Sequence, residues 1–540
     1  MLNAISDRLG RALLLEGGLG LWALGFGVGL VGGYAVIGLR AAIDAISYLG
    51  FGVPERLMSA AASELSVGRV WIVPIVGGVA VGTLTYMCRK RGWLSRGRAE
   101  GVAEVIEARA IHRGQIKAAP ALASAVISAI SVGSGGSAGR EGPAVHLGGA
   151  IAAAMGRPFG LSASDGRTLL ACGAAAAVSA SFNAPIAGVL FALEIVLGHY
   201  ALSVFGPVTL ASVTAAVIAR IHLGNFPAFS VPEHSLGSVA ELPAALMLGA
   251  LAGLVAILFM RSVRSFNRTA RWIAAELKVA PEMLAPIGGV VIGAAGALAP
   301  ELLGVGYEAI DAAVAATYAI PTLLGLLAFK IVLTAVTLGC RFGGGVFAPA
   351  LYLGAMLGGA FGLALAGVAP FETAGAGFYA MVGMGAVSGA VLGAPISTTL
   401  IVFELTGEYQ MTIALLVAVS VARWLTQAGF DHRSYFHAQL ADRGYDLSEG
   451  PQGVILQTLR VRDLMTAMPA GDEPLPEDAP RTTAAATLET ALAQMSELSE
   501  DGLPVVESTE NPRIIGYLSH RRALAAYNKA LLDAYIEEHR

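Results

Sequence analysis

An arginine and a glutamate stand among glycines in the segment Gly139-Arg140-Glu141-Gly142-Pro143, directly before an apolar run from Ala144 to Met155. Ionisable side chains at membrane depth are costly and mark a pathway by default. Pro143 predicts a helix start, whose first amides lack backbone partners and attract anions. A glutamate there is itself an anion, which occupies the site when ionised and leaves it when protonated. Taken alone, the segment equally fits a glycine-rich helix start with two charges at the lipid headgroups.

The same pattern occurs a second time along the chain, which favours the anion-site interpretation. The matching elements, at offsets of 206 and then 210 residues, are 139–157 with 345–363, 173–185 with 383–395, and Glu194 with Glu404. Two elements that recur at nearly one spacing predict a duplicated membrane unit, with repeats over about 70–225 and 280–430. The halves of such units face each other around a midplane site with interrupted helices.

The composition also favours a membrane protein. Of the 540 residues, 55% are hydrophobic, only 14% are charged and 68 are glycine. These values are typical of an all-α polytopic membrane protein rather than a soluble multidomain chain. The apolar stretches lie near 18–38, 70–87, 118–132, 202–219, 239–259, 283–299, 319–337, 346–368, 374–393 and 410–424. Several are too short or too broken for simple spans, so we expect partial, re-entrant helices buried inside protein.

Charge and cysteine spacing argue against a nucleic-acid partner and against metal or disulfide sites. A net charge of -4 with no dense basic face argues against nucleic acid as a partner. The three cysteines, Cys88, Cys172 and Cys340, show no metal-binding or disulfide spacing, so we expect them to serve in packing. We expect no metal site and no cofactor.

Three segments resemble the best-defined motifs of the CLC chloride channels and chloride/proton antiporters. They are 139–143, then Phe-Asn-Ala-Pro-Ile-Ala-Gly at 182–188, and Gly-Gly-Val-Phe-Ala-Pro at 344–349. The resemblance covers about residues 15–445, in family order and spacing. It implies a homodimer in the cell membrane, in which each subunit has its own pore for chloride or similar small anions. It also implies an architecture of inverted repeats with tilted and broken helices.

The resemblance further implies the residues of the site. Glu141 corresponds to the outer gating glutamate, and the amides at Val346 and Phe347 line the central anion site. The rest of the expected anion-binding set is Gly139, Arg140, Gly142, Gly345 and Phe436. These assignments agree with helix starts that face an anion.

The proton route departs from the family pattern. Antiporters of the family usually carry two successive glutamates, the second being the inner proton acceptor, whereas this chain has Glu194 followed by Ile195. Isoleucine cannot carry a proton, although some antiporters manage without the inner glutamate. Glu194 is a candidate relay, but Glu404 holds the equivalent position without an evident proton path, so we favour a structural role. We expect conduction or weak coupling; the alternative is an antiporter with a substitute acceptor, Glu100 or Glu194.

Two further departures affect the central anion site. Glu100 replaces the serine whose hydroxyl would donate to chloride, and a fixed carboxylate there would repel anions unless protonated, mobile or turned away. We expect Glu100 at a solvated rim. Phe436 stands where the family has an anion-coordinating tyrosine, and Tyr435 compensates only if its helix is rotated. Fewer fixed donors predict weaker or less selective binding.

One rival interpretation is an enzyme. Residues 135–139 fit the G-x-S-x-G pattern, which would make Ser137 the nucleophile of an intramembrane serine hydrolase with His146 as its base. The match lies in a Gly/Ser-rich turn, and a hydrolase does not explain the duplication. We expect His146 to be packed or hydrogen-bonded rather than a proton carrier.

We expect residues 1–449 to form the membrane domain and residues 450–540 to form a soluble cytoplasmic domain, which resembles a CBS module. A helical period covers Leu488 to Met495, and two β-type runs follow at 502–506 and 514–519. These patterns predict a small α+β fold. Because such modules work in pairs, one copy implies pairing across the dimer axis. We expect 467–486 to be a mobile insertion, and Arg522, where an acidic residue would hold a ribose, to oppose nucleotide binding.

Overall fold

The computed structural model describes most of the chain in two compact units. The described residues are 19–94, 96–224, 241–369, 373–406, 409–430, 432–447, 450–468, 480–508 and 513–539. The first unit extends to Phe436, with Ala201–Ser203 grouped instead with the second unit, which continues from His437.

The described part of the first unit is built from helices of very unequal length. The longer ones are α1 Leu19–Phe51, α3 Val67–Lys90, α5 Ala118–Gly133, α6 Glu141–Gly156, α7 Ala163–Phe182, α9 Leu202–Leu223, α10 Leu242–Glu276, α11 Ala285–Leu298, α13 Ile320–Gly339, α14 Phe347–Val368, α15 Ala376–Leu392, α16 Pro395–Thr406 and α17 Tyr409–Gly429. The shorter ones are α2 Met58–Glu64, α4 Val102–Ile111, α8 Pro185–Phe191, α12 Tyr307–Val314 and α18 Tyr435–Ala441. Short 3₁₀ turns lie at Glu55–Leu57, Arg157–Phe159, Pro281–Leu284 and Pro300–Leu302, and a π-helical turn at Ala192–Leu197.

The helices confirm the prediction of a polytopic α-helical membrane protein. Among the described residues, eight helices are long and apolar enough to cross a bilayer. Four shorter apolar helices, α5, α8 with its π turn, α15 and α16, fit the expected interrupted elements. Helix α7 was absent from the predicted apolar stretches, because much of it is alanine, glycine and serine. Such small residues suit its buried position, where backbones approach closely.

Helix boundaries follow the duplication seen in the sequence. Helices α6 and α14 begin 206 residues apart, and α8 and α16 begin 210 residues apart, each of the latter at a proline. The preceding helices end alike: Asn183 closes α7 and Gly393 closes α15, both in the left-handed conformation. Asparagine and glycine tolerate this conformation better than other residues. Equivalent residues thus start and stop equivalent helices.

Paired glycines let neighbouring helices touch through their backbones in both repeats. A Cβ added at Gly148 on α6 would collide with the carbonyl of Gly173 on α7. The equivalent pair, Gly354 on α14 and Gly383 on α15, would suffer the same collision. Close backbone approach of small residues is a principal source of helix association in membranes. These contacts fix the positions of α6 and α14, the two equivalent helices of the repeats.

The second unit contains a small sheet with helices. Its elements are α19 Gly450–Thr458, α20 Val461–Leu464, β1 Thr466–Ala467, β2 Thr482–Thr483, α21 Leu488–Leu498, β3 Gly502–Val506, β4 Ile514–Ser519 and α22 His520–His539. The strand order is β1-β4-β3-β2, with β2 parallel to β3 and the other pairs antiparallel. The core includes Leu488, Met495, Leu503 and Leu518. The predicted α+β composition, the helix and both longer strands are confirmed.

The prediction of a mobile insertion over 467–486 needs correction at its ends. Ala467 belongs to β1, and Thr482 and Thr483 form β2 against Val505 and Val506. β-Branched threonines suit strand pairing, which the Ala/Pro-rich composition of the segment concealed. Residues 469–479 lie outside the described part. Nη1 of Arg522 donates to Oγ1 of Thr466 at 2.8 Å and so joins α22 to the residue that starts β1.

Candidate functional site

The two repeats meet where their equivalent helices begin. The amide of Gly139 donates to the carbonyl oxygen of Gly345 at 2.8 Å, and the amide of Gly345 donates back to Gly139 at 2.7 Å. The two residues are equivalent in the duplication, so this bridge joins the repeats at corresponding points. Both glycine amides are used in the bridge. We therefore correct their expected role: they position the helix starts rather than donate to an anion.

A cavity of about 350 Å³, part of it open to solvent, lies beside this bridge. Its lining consists of Val102, Glu141, Gly142, Val145, Val178, Phe182, Phe191, Gly345, Val346, Phe347, Leu392, Ile401 and Phe436. Six expected site residues are therefore brought together: Glu141, Gly142, Gly345, Val346, Phe347 and Phe436. The starts of α6 and α14 both face this space, which gives it unpaired amides from two helices.

Several apolar residues of the lining were missed by the motif-based interpretation. Phe182 and Leu392 are equivalent at the offset of 210 residues, and so are Phe191 and Ile401. The rings of Phe182 and Phe347 meet edge to face with centroids 5.0 Å apart. The repeat offset of 210 residues, applied to the sequence, would have identified these pairs. Their presence makes the lining of the cavity largely apolar, with the polar groups concentrated at the helix starts.

The side chain of Glu141 lies at the start of the opposite repeat's helix. It is only 4% exposed. Its Oε2 and the amide nitrogen of Ala348 both border the space that a Cβ at Gly139 would fill. Glycine at 139 therefore leaves room for the carboxylate beside the first turn of α14. A carboxylate in this place occupies the favourable field of the helix start, where an anion would otherwise bind.

Arg140 does not line the cavity, contrary to its expected place in the anion site. Its guanidinium donates from Nη2 to the hydroxyl of Tyr307 at 3.2 Å and lies 5.4 Å from the centre of that ring. The side chain is buried and, with Arg40, borders a separate space of about 280 Å³. Arg140 therefore acts on the site through the field of its charge and through the position of its backbone.

A buried lysine that the sequence interpretation overlooked holds the loop before Tyr307. Nζ of Lys330 donates to the carbonyl oxygens of Leu302 and Gly304 at 2.9 and 3.0 Å. Nζ also lies 4.6 Å from the centre of the Tyr352 ring. These contacts compensate the cost of burying the amino group. Lys330 thereby fixes the segment that presents Tyr307 to Arg140.

Glu100 does not occupy a solvated rim. Its side chain is 12% exposed, and Oε2 lies 3.5 Å from Nε2 of His146, which is 1% exposed. The backbone amide of Glu100 donates to Oγ of Ser124 at 2.8 Å. The expectation failed because it considered residue 100 without its long-range partner on α6. Glu100 is turned toward His146 and is absent from the residues that line the cavity.

Glu194 and Glu404 form reciprocal helix caps between the repeats. Glu194 accepts from the amides of Ile396 and Ser397, at 3.1 and 2.8 Å, in the first turn of α16. Glu404 accepts from the amides of Ile186 and Ala187, at 3.0 and 2.7 Å, in the first turn of α8. A carboxylate at a helix start satisfies unpaired amides and the helix dipole. The geometry therefore gives the two glutamates equivalent structural roles.

We expect Glu194→Ala and Glu404→Ala to destabilise the protein by similar amounts, about 1–2 kcal/mol each, because each removes a two-amide cap. Thermal unfolding in detergent would measure this, with the glutamine variants as partial replacements that keep one acceptor oxygen. Anion flux per folded molecule should change little. A large loss of proton or anion movement in the Glu194 variant alone would contradict the structural role.

The hydrolase interpretation gains no support from the geometry. The hydroxyl of Ser137 is fully buried and is hydrogen-bonded to that of Thr334 at 2.9 Å. His146 instead lies beside Glu100. Of the glycines around Ser137, Gly139 forms the bridge between the repeats, and the amide of Gly136 donates to the carbonyl oxygen of Ser131.

The fold and the site together define a class of protein: a duplicated helical membrane protein with opposed helix starts around an anion-accepting cavity. The sequence profile described as "Voltage gated chloride channel" matches residues 77–427. The chain belongs to this family, the CLC chloride channels and transporters, and it transports anions.

Relatives and solved structures agree with this assignment. A ClcB-like chloride channel protein of Ralstonia nicotianae is 32% identical over 72% of this chain and 90% of its own length. Chloride channel protein CLC-e of Arabidopsis thaliana is 31% identical over 74% of this chain and 58% of its own length. A slow cyanobacterial Cl⁻/H⁺ antiporter shares the fold with a TM-score of 0.67 and 22% identity, over 78% of this chain and 97% of the antiporter. A eukaryotic CLC transporter has a TM-score of 0.64 at 18% identity, over 96% of this chain and 98% of its own length.

Proposed function

We propose that this protein conducts chloride or similar small anions passively, or with weak proton coupling, and that the carboxylate of Glu141 gates the path. The observation that carries the proposal is the position of that carboxylate beside the start of α14, at the edge of a cavity that both repeats line. When ionised, it competes with the anion for the same helix start. When protonated, it loses its attraction to this field and the path opens.

The central site offers few fixed donors besides backbone amides. Phe436 lines the cavity and has no hydroxyl to donate, although the positive edge of its ring still attracts an anion weakly. Tyr435 is buried on the same helix but is absent from the cavity lining. The amides near Val346 and Phe347 therefore supply most of the binding. Weak binding suits rapid conduction, because an anion must also leave the site.

The inner side of the path supports weak rather than stoichiometric proton coupling. Ile195 replaces a protonatable residue, and the carboxylate of Glu194 is engaged by two amides of α16. A carboxylate that caps a helix with both oxygens is not free to turn toward a proton donor or acceptor elsewhere in the path. The antiporter alternative therefore needs Glu100 as its substitute acceptor.

The proposed assembly is a homodimer in the cell membrane, with the C-terminal unit in the cytoplasm. The family resemblance and the single CBS-like unit support it, since such a unit would pair across the dimer axis. The Arg522–Thr466 hydrogen bond within that unit favours a structural clamp over nucleotide binding.

Chloride efflux from liposomes tests the proposed transport directly. Purified protein is reconstituted with a chloride gradient, and valinomycin carries the balancing potassium current. We expect efflux that needs valinomycin, because a passive anion path moves net charge. Protein-free liposomes are the control, and efflux no faster than theirs would refute the proposal.

A further inference from the structure

Glu100 and His146 form a buried acid–base pair directly behind the wall of the cavity. Nε2 of His146 and Oε2 of Glu100 are 3.5 Å apart, and both side chains are largely withdrawn from solvent. Each partner stands close in sequence to the lining: Val145 precedes His146, and Val102 follows Glu100 by two residues. The pair is therefore separated from the cavity by about one layer of residues.

The backbone on both sides of the pair is firmly placed. A Cβ at Gly101 would lie 3.6 Å from the carbonyl carbon of Gly142, so the segment after Glu100 rests on the first turn of α6. The amide of Glu100 is held by Ser124 on α5. A charge in this position keeps a fixed distance from the anion path. Because both side chains are largely withdrawn from solvent, that charge is weakly screened by water and salt.

The other charged groups near the pair are mostly engaged with each other. Arg96 makes a two-bond contact with Glu107, at 2.9 and 3.0 Å, and its charge also acts on Glu100. Glu104 accepts from the amide of Gly101 and from Arg98. Helix α5 contributes the hydroxyl of Ser124, and α6 contributes Glu141 as its other ionisable group near the cavity.

We propose that Glu100 and His146 together bind one proton and set the charge beside the anion path, separately from Glu141. The proposal rests on the proposed passage of anions through the cavity. With neutral histidine the pair carries one negative charge, which repels an anion. With protonated histidine the pair is neutral overall, and the repulsion disappears. Anion flux should therefore rise as the pH falls and the pair takes up its proton.

The two partners should respond to substitution in opposite directions, which a merely structural pair would not do. Glu100→Gln removes the negative charge, so flux at pH 8 should rise several-fold, by about tenfold at most. His146→Gln removes the partner that takes up the proton and keeps the carboxyl group of Glu100, so flux should stay low at pH 8 and should lose the rise that the parent shows at pH 5.5. Both changes are made in the Glu141→Gln background, where the gate no longer contributes to the pH profile.

A matched control is available on α4. His112 lies 3.9 Å from Glu107, but its side chain is 53% exposed, so solvent screens its charge. His112→Gln should keep the pH profile of the Glu141→Gln parent. Chloride calorimetry in buffers of different ionisation enthalpy provides a second readout, independent of flux. Near pH 7, chloride binding should take up a fraction of a proton in the parent and none after His146→Gln.

The experiments distinguish a failure of the Glu100–His146 proposal from a failure of the proposed anion transport. A flat pH profile in Glu141→Gln, or changes of flux in the same direction in both pair variants, would overturn the proton-binding site while leaving anion transport intact. Absence of chloride efflux from the wild-type protein would instead refute the transport proposal itself. Proton uptake on chloride binding that persists without His146 would also overturn the pair's role.

Discussion

Replacing Glu141 by glutamine should remove the acid-dependent opening of the anion path and raise flux at neutral pH, on the order of tenfold. Glutamine keeps the size of the side chain but cannot present a negative charge to the start of α14. Nothing then competes with the anion for that site. Chloride efflux from liposomes, measured between pH 4.5 and 8, should show that the gate's part of the pH dependence is lost and that only the dependence assigned to the Glu100–His146 pair remains.

The control for this prediction is the double variant Glu141→Gln with His146→Gln. Any several-fold dependence on pH that remains in the single variant belongs to the Glu100–His146 pair, so the double variant should show no dependence. A Glu141→Gln protein with the wild-type pH profile would contradict the assignment of the gate.

Filling either glycine contact between neighbouring helices should prevent folding. Gly148→Val or Gly354→Val places side-chain atoms where the carbonyl of Gly173 or Gly383 already lies. Backbone cannot yield as a flexible side chain does, so we expect destabilisation above about 3 kcal/mol at each site. The yield of monodisperse protein in detergent is the measurement.

Gly38→Val on α1 is the matched control, because a Cβ there meets nothing within 4 Å. Its yield should equal that of the wild-type protein. Well-folded protein from Gly354→Val at normal yield would show that the two repeats do not depend on this close approach.

The parts of the fold that depend on local pattern could be predicted from the sequence. The prolines and glycines near Pro143 and Pro349 indicated the helix starts that face the cavity, because helix initiation is decided by neighbouring residues. The β-type runs 502–506 and 514–519 predicted both longer strands of the second unit. The repeat offset indicated that the two halves would share one site.

Contacts between distant residues were harder to predict. No local pattern shows that Glu100 lies beside His146, or that Lys330 binds the carbonyls of Leu302 and Gly304. The caps made by Glu194 and Glu404 are long-range contacts that the sequence could have revealed. Each glutamate, and the helix that it caps, recurs 210 residues along the chain, so the duplication predicts that each repeat caps a helix of the other.

The position of Glu194 also bears on the coupling mechanism. Proton movement needs a continuous series of groups that accept protons, and apolar walls do not supply one. At the positions where the family resemblance places the inner part of such a route, Ile195 and Phe436 offer no such group, and Glu194 caps α16. Of the candidate acceptors, Glu100 with His146 remains, and this pair lies behind the cavity wall. This arrangement favours passive conduction.

The reversal potential of the purified protein in liposomes, under opposed chloride and pH gradients, tests the central claim most directly. Passive conduction predicts a reversal potential at the chloride equilibrium value, with no uphill proton movement when chloride flows down its gradient. A reversal potential displaced by the pH gradient, with stoichiometric proton uptake driven by chloride efflux, would contradict it. Comparison of Glu100→Gln with Glu194→Gln would then identify the inner proton acceptor.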